Sequence, residues 1–306
     1  MITGVVAYFV FINIPALERH HILARNAVNI LQPVLIFCML FLTFLKVDLK
    51  HIRLCPWHLW LLLVQCGLFA AIGSILILMP HSGVRVVLEG AMLCLICPTA
   101  TASAVVTRKL GGDVNHITTY IILINIAVSL TVPALVPYIH PNDSISMTTA
   151  TLLIMGQVFP LLLMPLALAI FVRHLLPGLH SRLIKHPDLP FYLWAVALSL
   201  AIVVTTRSIV HSTVSLDTQI WLVAVSAICC VFQFWLGRLI GAVYSDTVTA
   251  GQALGQKNTV FAIWLGYTFF TPVTAIVGGF YSIWHNLINT YQLYRHEHHH
   301  PQAYNK

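Results

Sequence analysis

A proline and three closely spaced hydroxyls interrupt an apolar part of the sequence at CPTATAS, residues 97–103. Pro98 has no N–H to donate, so a helix through this stretch loses a backbone hydrogen bond and frees a carbonyl oxygen. The hydroxyls of Thr99, Thr101 and Ser103 add further oxygens. Such oxygens bind cations and polar solutes, so the stretch predicts a binding site. A plain proline kink, with the hydroxyls bonded back to the preceding turn, is the alternative.

A second polar interruption, GQALGQKN at residues 251–258, contains a positive charge among apolar neighbours. Its polar side chains are the amides of Gln252, Gln256 and Asn258 and the ammonium of Lys257. A charge at the centre of a bilayer costs about 2.5–3.5 kcal/mol on insertion scales, so an intramembrane lysine is a functional candidate. The alternative is a long side chain that reaches the membrane surface. Lys257 lies roughly eleven residues from either end of its apolar run, which is too far for that.

The composition indicates that lipid surrounds most of the chain. Of its 306 residues, 58% are hydrophobic and only 8% are charged, and the mean hydropathy is +0.87. Soluble domains carry about 25% charged residues, so this chain cannot cover a water-exposed surface. The excess of basic over acidic residues, 16 against 9, lies in short loops. It therefore indicates membrane topology rather than nucleic-acid binding.

Apolar runs between charged or Pro/Gly-rich breaks predict an all-α polytopic membrane protein with ten transmembrane helices. A spanning helix needs about 20 mostly apolar residues. The connections are too short for a soluble domain, so residues 1–306 form a single membrane domain. The ten predicted spans are residues 2–16, 28–47, 57–79, 85–109, 114–138, 147–173, 190–209, 218–240, 246–269 and 272–293.

Basic residues in the loops predict the orientation. Eleven lie on the side that holds both termini and four lie on the other side. The positive-inside rule therefore places both termini in the cytoplasm of a multi-pass protein of the plasma or inner membrane. The eleven are Lys46, Lys50, Arg53, Arg108, Lys109, Arg173, Arg182, Lys185, Arg238, Arg295 and Lys306, and the four are Arg19, Arg25, Arg85 and Arg207.

The loop around residues 139–147 divides the spans into repeat one, about 1–140, and repeat two, about 146–293, followed by a cytoplasmic tail at 294–306. The two polar interruptions fall in spans four and nine, which are equivalent in two such halves. Inverted repeats with interrupted helices near the midplane are typical of secondary transporters. Irregular backbone at membrane depth must be buried in protein or line a wet cavity. Ten helices without internal symmetry are the alternative.

Several motifs resemble the bile acid:sodium symporter family. CPTATAS and the nearby VVTRKLGGDV resemble its fourth-helix CPxxTASN signature and the basic turn that follows. ALGQKN resembles its ninth-helix ExGxQN, GGFYSIWHN (278–286) its final-helix GxxxSxWHN, and FLTFLKVDLKHI (41–52) the end of its second helix. The resemblance extends from about residue 30 to 293. It implies a divergent member with two inverted five-helix repeats, a panel domain and a core domain, in which discontinuous helices four and nine cross.

The resemblance also implies a sodium site behind this crossing, held by side-chain and backbone oxygens. It assigns sodium ligands to Gln65, Ser103 and Gln256, if sodium coupling is retained. The chain departs from the family at other ligand positions. The asparagine after TAS is Ala104. The crossover glutamate, whose charge balances the cations, falls on Gln252 if Gln256 is aligned with the crossover glutamine, or on a glycine or alanine in nearby registers.

A further departure adds a positive charge. The asparagine after the crossover glutamine becomes Lys257, with Asn258 one position later, and helix five offers only Thr118, Thr119 or Asn125 as substitute ligands. An ammonium about 4 Å from a sodium ion repels it by roughly 4 kcal/mol at an effective dielectric constant of about 20. We hypothesise that the ammonium takes the place of sodium, so that transport is sodium-independent and either facilitated or driven by protons.

The resemblance implies a secondary transporter for an amphipathic organic anion, bile-acid-like or a smaller carboxylate or sulfonate, which alternates its access through a crevice between panel and core. Lys257 and helix N-termini near the crossing suit a negative group. Thr99, Thr101, Asn258 and His285 are predicted to line the path, although a packing role explains His285 equally well. No cofactor is predicted beyond sodium or a proton as the coupling ion.

Several residues, and the function itself, have alternative interpretations. Glu89 is predicted to be a rim residue, with a proton carrier as the alternative, and the amides of Gln65 and Gln233 could join helices rather than bind a ligand. An intramembrane enzyme is disfavoured, since the predicted spans hold no HExxH motif and no acidic pair. The His-rich tail at 295–306 has metal-ligand spacing but is predicted to be disordered. A sodium-coupled symporter and a non-transporting receptor on the same fold are the alternative functions.

Overall fold

The fold is built from α-helices throughout the part of the chain that the computed structural model describes, which comprises residues 2–13, 21–47, 52–141, 144–186 and 189–299. A 3₁₀ turn at Pro272–Thr274 lies directly before α13 in the sequence. The helices are α1 (Ile2–Asn13), α2 (His21–Leu45), α3 (Pro56–Leu78), α4 (Arg85–Ile96), α5 (Ser103–Lys109), α6 (Val114–Ile139), α7 (Met147–Leu175), α8 (Pro177–Ile184), α9 (Leu189–Val210), α10 (Leu216–Val243), α11 (Thr247–Gly255), α12 (Thr259–Phe269) and α13 (Ala275–His299).

Six helices in the described part of the chain are long and apolar enough to cross a membrane, and they indicate a multi-pass helical membrane protein. They coincide with predicted spans two, three, five, six, seven and eight. The other four predicted spans differ. Span one is the 12-residue α1, spans four and nine are each divided into two short helices, and α13 is long but less apolar. The six are Asn26–Leu45, Pro56–Leu78, Val114–Ile139, Met147–Leu175, Leu189–Val210 and Leu216–Val243.

Polar residues in the connections fix where several of these helices begin. Asp113 precedes α6, and its carboxylate accepts hydrogen bonds from the backbone N–H groups of Asn115 and His116. The hydroxyls of Ser146 and Ser215 accept equivalent bonds at the starts of α7 and α10. Each cap satisfies N–H groups that have no partner within the helix.

The divided helices lie at the centre of the bundle. Residues 89–99 and 249–266 are buried without a break, on every face of their helices. A helix that is covered all round belongs to the interior. Large apolar side chains of the surrounding helices face outward instead, as lipid contact requires, and Leu78 and Val243 are 80% and 77% exposed.

The beginning of the C-terminal tail, residues 294–299, differs from the prediction. Helix α13 continues through residues 294–299, so this part of the tail is helical rather than disordered. Residues 300–306 and the orientation-setting Arg19, Lys50 and Lys306 lie outside the described residues.

Candidate functional site

The two predicted breaks exist, and they are paired with each other. Helix α4 ends at Ile96 and α5 begins at Ser103, while α11 ends at Gly255 and α12 begins at Thr259. Between these ends, Thr99 and Lys257 form an isolated antiparallel β-bridge. The freed backbone groups therefore bond across the break instead of along a helix.

Two backbone hydrogen bonds close this bridge. The N–H of Ala100 donates to the carbonyl of Gln256 at 2.8 Å, and the N–H of Asn258 donates to the carbonyl of Pro98 at 2.8 Å. The Thr99 hydroxyl adds a bond to the carbonyl of Ala253. The Pro98 carbonyl and the Thr99 hydroxyl therefore both bond to the other broken helix. A plain proline kink, with hydroxyls bonded back along the same helix, does not describe this stretch.

Gln65 on α3 supports the end of α4. Its side-chain nitrogen donates to the carbonyls of Ile96 at 3.0 Å and Cys97 at 2.8 Å. Its oxygen accepts a hydrogen bond from the Tyr120 hydroxyl at 3.1 Å. The amide predicted as a sodium ligand thus satisfies carbonyls that the helix end leaves open.

Gln233 and Tyr281 form a second support of the same kind. The Gln233 nitrogen donates to the carbonyl of Cys94 and to the Tyr281 hydroxyl, both at 3.1 Å. The Tyr281 hydroxyl in turn donates to the carbonyl of Gly255 at 2.8 Å, at the end of α11. The first pair therefore holds the end of α4, and the second pair joins α4, through Gln233, to the end of α11, through Tyr281.

The ammonium of Lys257 is buried without a partner. The side chain is 1% exposed, and its Nζ has no hydrogen-bond partner among the described residues. Its electrostatic neighbours are thiols, those of Cys97, Cys66, Cys94 and Cys230. Lys257 therefore joins the crossing through its backbone, while its side chain is free to meet a ligand or to exist uncharged.

Two further predicted residues have structural partners. The Gln252 nitrogen donates to Asn289 at 3.0 Å and to Gln292 at 3.1 Å, which ties α11 to α13. The Asn258 oxygen accepts from the N–H of Phe261 at 3.2 Å and caps α12. Both contacts organise the crossing.

The remaining predicted residues offer unused polar atoms. Within the described part of the chain, the Ser103 hydroxyl, the Gln256 oxygen and the His285 Nδ1 are buried without hydrogen-bond partners. His285 also makes an edge contact with the ring of Tyr281, with centroids 5.8 Å apart. Thr101 is half-buried. Two of the three predicted sodium ligands, Ser103 and Gln256, thus retain free oxygens.

The three residues of the fifth span, α6, that were considered as substitute ligands each donate a hydrogen bond within that helix. Thr118 donates to the carbonyl of Val114, and Thr119 to that of Asn115. The Asn125 nitrogen donates to the carbonyl of Ile121.

Glu89, predicted to be a rim residue, is fully buried. Its carboxylate is 3.1 Å from Nε of Arg85 and 3.2 Å from Nε2 of His140, and it accepts from the N–H of Thr271 at 3.2 Å. It therefore ties α4 to the ends of α6 and α12. The charge of Arg85 and the N–H of Thr271 offset the cost of burying the carboxylate.

A cavity of about 450 Å³ lies away from the crossing, at the ends of four helices. None of the nine predicted site residues lines it. Its walls come from the C-terminal ends of α1, α9 and α12 and the N-terminal part of α2, and they include Tyr8, Val28, Val203, Arg207, His211 and Tyr267. The walls are predominantly apolar, as is usual for a small-molecule site.

Arg207 is the charged group of this cavity. It is half-buried, and its guanidinium has no acidic partner and no hydrogen-bond acceptor among the described residues. Beside it, the Tyr8 hydroxyl lies 3.0 Å from Nε2 of His211. An arginine without a counter-ion in an apolar pocket favours an anionic ligand. From the sequence, Arg207 was predicted only as a loop charge that sets orientation, although its place in the last turn of an apolar helix was a usable signal.

Comparison with known proteins assigns no function to this chain. No protein-family model matches the chain, and no curated protein matches it significantly.

Proposed function

We propose that this protein is a secondary transporter for amphipathic organic anions, with alternating access about the crossing of two broken helices. The observation that carries the proposal is the bridge between Thr99 and Lys257, with the Lys257 ammonium buried and unpartnered beside it. Breaks that meet inside a membrane protein are a construction for moving ions and solutes. We place the protein in the plasma or inner membrane with both termini in the cytoplasm.

The order of the helices supports ten spans in two inverted five-helix repeats. If α4 with α5 and α11 with α12 each count as one span, and the short α8 is a connection, five spans lie on each side of residues 140–146. The two supports also correspond. Gln65 and Tyr120 come from the third and fifth spans, and Gln233 and Tyr281 from the eighth and tenth. Each tyrosine is the seventh residue of its helix.

The cavity supports the class of substrate. Its size suits a compact organic molecule, its walls suit an apolar body, and Arg207 suits one carboxylate or sulfonate. This agrees with the organic anions implied by the resemblance to the bile acid:sodium symporter family. We propose that the cavity is the crevice between panel and core from the non-cytoplasmic side.

For coupling, we propose that the positive charge of Lys257 replaces a bound cation, so that transport does not require sodium. The backbone bridge holds the two breaks together without an ion, and the crossover carboxylate that would balance sodium is replaced by Gln252. The free oxygens of Ser103 and Gln256 favour the second candidate, a sodium-coupled symporter. A receptor on the same fold would bind the anion without moving it.

Flux into proteoliposomes tests these candidates. A bile acid and a short alkyl sulfonate are offered to the native protein and to Lys257→Gln under a sodium gradient, a proton gradient or no gradient, with the exposed Lys109→Gln as the matched control. We expect uptake that ignores sodium and is lost in Lys257→Gln alone. Sodium-driven uptake that survives Lys257→Gln identifies the symporter. Binding of the anion without uptake identifies the receptor.

A further inference from the structure

A cysteine, a histidine and an aspartate meet where three helices begin, apart from the crossing and from the cavity. Cys55 immediately precedes α3, His116 lies in the first turn of α6, and Asp246 immediately precedes α11. The Cys55 Sγ is 3.2 Å from Nε2 of His116, and the His116 Nδ1 is 2.8 Å from Oδ2 of Asp246. Nucleophile, base and orienting acid are thus connected in that order.

The contacts of Asp246 decide which histidine nitrogen carries the proton. A carboxylate only accepts, so the His116 Nδ1–H donates to Asp246 and leaves the Nε2 lone pair directed at the thiol. Asp246 also accepts from the Trp57 indole N–H at 3.1 Å. It occupies the cap position of α11, yet its side chain does not cap that helix. Its carboxylate is committed to the histidine and the indole instead.

The surrounding backbone holds all three groups in place. Asp113 accepts from the N–H of His116 at 3.1 Å. His58 accepts from the N–H of Cys55 at 3.0 Å through Nδ1, and its Nε2 lies 3.1 Å from the carbonyl of His116. Asp246 follows Ser245, whose φ of 57° is in the left-handed region and turns the chain between α10 and α11. Such strain in a residue other than glycine is often associated with functional sites.

The thiol needs the base in order to react. Burial and the carboxylates of Asp246 and Asp113 raise the pKa of Cys55, against the opposing charge of Arg53. The thiol is therefore protonated at neutral pH. Because the thiolate is the nucleophile, a proton acceptor at 3.2 Å is the group that enables attack. No other cysteine among the described residues has a hydrogen bond to a histidine.

We propose that Cys55 is a site of S-acylation, with a long-chain acyl thioester of coenzyme A as the acyl donor. The surface beside the thiol is apolar and faces lipid, since Leu54, Leu59 and Trp60 are 74%, 60% and 52% exposed. An acyl chain attached to Cys55 would lie against this surface in the membrane. The adjacent Arg53 is exposed and suits the phosphates of the donor. Juxtamembrane cysteines are acceptors of this kind.

The reaction needs no oxidant or metal. The Cys55 thiol gives its proton to Nε2 of His116 as the sulfur attacks the thioester carbonyl. The bond from the carbonyl carbon to the coenzyme A sulfur then breaks, and His116 returns the proton to the departing thiolate. A new thioester replaces the old one, and Asp246 acts as a positioning residue that keeps His116 in the reactive tautomer.

The test is the acylation rate of the full-length protein in lipid nanodiscs supplied with palmitoyl-coenzyme A, followed by intact mass and by peptide mapping of the hydroxylamine-sensitive adduct. We expect one acyl chain at Cys55, none on Cys55→Ser, and an unchanged rate for Cys38→Ser, whose thiol has no histidine contact. His116→Gln is expected to slow the reaction about a hundredfold or more. Asp246→Asn is expected to slow it about tenfold or more.

The pH dependence separates a base from a merely structural histidine. With His116 as the base, the pH profile of the rate departs from that of thiol ionisation, and Asp246→Asn changes this profile. Asp246, Asp113, Arg53 and His58 are the other titratable groups facing the thiol. A rate that simply follows thiol ionisation would overturn the proposal. So would equal acylation of Cys38 and Cys55, or no acylation of the native protein.

Discussion

Thr99 and Lys257 pair through their backbones at the point where two helices end. The lysine side chain makes no hydrogen bond in this pairing. Each break would otherwise expose peptide groups inside the bundle, where an unpaired group is costly. The bridge satisfies them with each other. The ammonium is consequently available for a functional role. Its burial destabilises the protein when no anion is bound.

We therefore predict that Lys257→Met stabilises the protein while it abolishes transport. An apolar side chain of similar length removes a buried, unpaired charge, and replacing buried charged groups by packed apolar ones gains up to about 1–4 kcal/mol. The measurement is the thermal unfolding of the purified protein in detergent, with the exposed Lys109→Met as the control. A lower melting temperature for Lys257→Met would mean that the ammonium has a stabilising partner.

We predict that Gln65→Leu destabilises the protein strongly. The change leaves the carbonyls of Ile96 and Cys97 without a donor and the Tyr120 hydroxyl without its acceptor. Each buried group left unpaired costs about 1–3 kcal/mol. Thermal unfolding in detergent measures the loss, and Gln157→Leu, at an exposed position of α7, is the matched control.

If the two halves are true repeats, Gln233→Leu gives a loss similar to that of Gln65→Leu. Retention of full stability by Gln65→Leu would show that other groups satisfy the end of α4.

We predict that Gly255→Ala is not tolerated. A Cβ added at Gly255, the last residue of α11, would overlap the ring of Phe234 on α10. Overpacking of this kind costs about 1–3 kcal/mol. The control is Gly156→Ala in α7, where an added Cβ meets nothing within 4 Å and the helix gains about 0.5–1 kcal/mol. Comparable melting temperatures for the two variants would contradict the tight contact between α10 and α11.

Both breaks and six membrane helices could be predicted from the sequence, because they depend on local properties. Proline at 98 and glycine at 255 weaken a helix wherever they occur in the fold, and α4 and α11 end beside them. Hydropathy over about 20 residues is equally local. The charge of Lys257 also stood out, since it is expensive at any depth in a bilayer.

The pairing of groups from distant helices could not be predicted in the same way. Gln65 was assigned to an ion through the resemblance to the symporter family, yet its amide donates to the open carbonyls at the end of α4. Glu89 was interpreted as a rim residue from its place near the start of span four, whereas its partner His140 lies on another helix end. Cys55 was not singled out because its histidine and aspartate come from helices far along the chain.

The cavity yields the last prediction, which concerns binding of the anion. Arg207→Gln removes the only cationic side chain among the described residues that line the cavity, while Arg207→Lys keeps the charge but loses the planar, forked donor. A charge-assisted hydrogen bond is worth about 1.5–3 kcal/mol, which corresponds to about a tenfold to more than a hundredfold weaker Kd. We expect Arg207→Gln to show this loss for a bile acid and for an alkyl sulfonate, and Arg207→Lys to fall between it and the native protein.

Equilibrium binding to the purified protein in detergent measures these affinities, with the exposed Arg108→Gln on α5 as the control for a change in net charge. A neutral analogue of the same bile acid should bind the native protein and Arg207→Gln equally, because it has no charge for the guanidinium to meet. Unchanged binding of the anion to Arg207→Gln would place the substrate elsewhere, and the unpartnered ammonium of Lys257 would then be the next cation to examine.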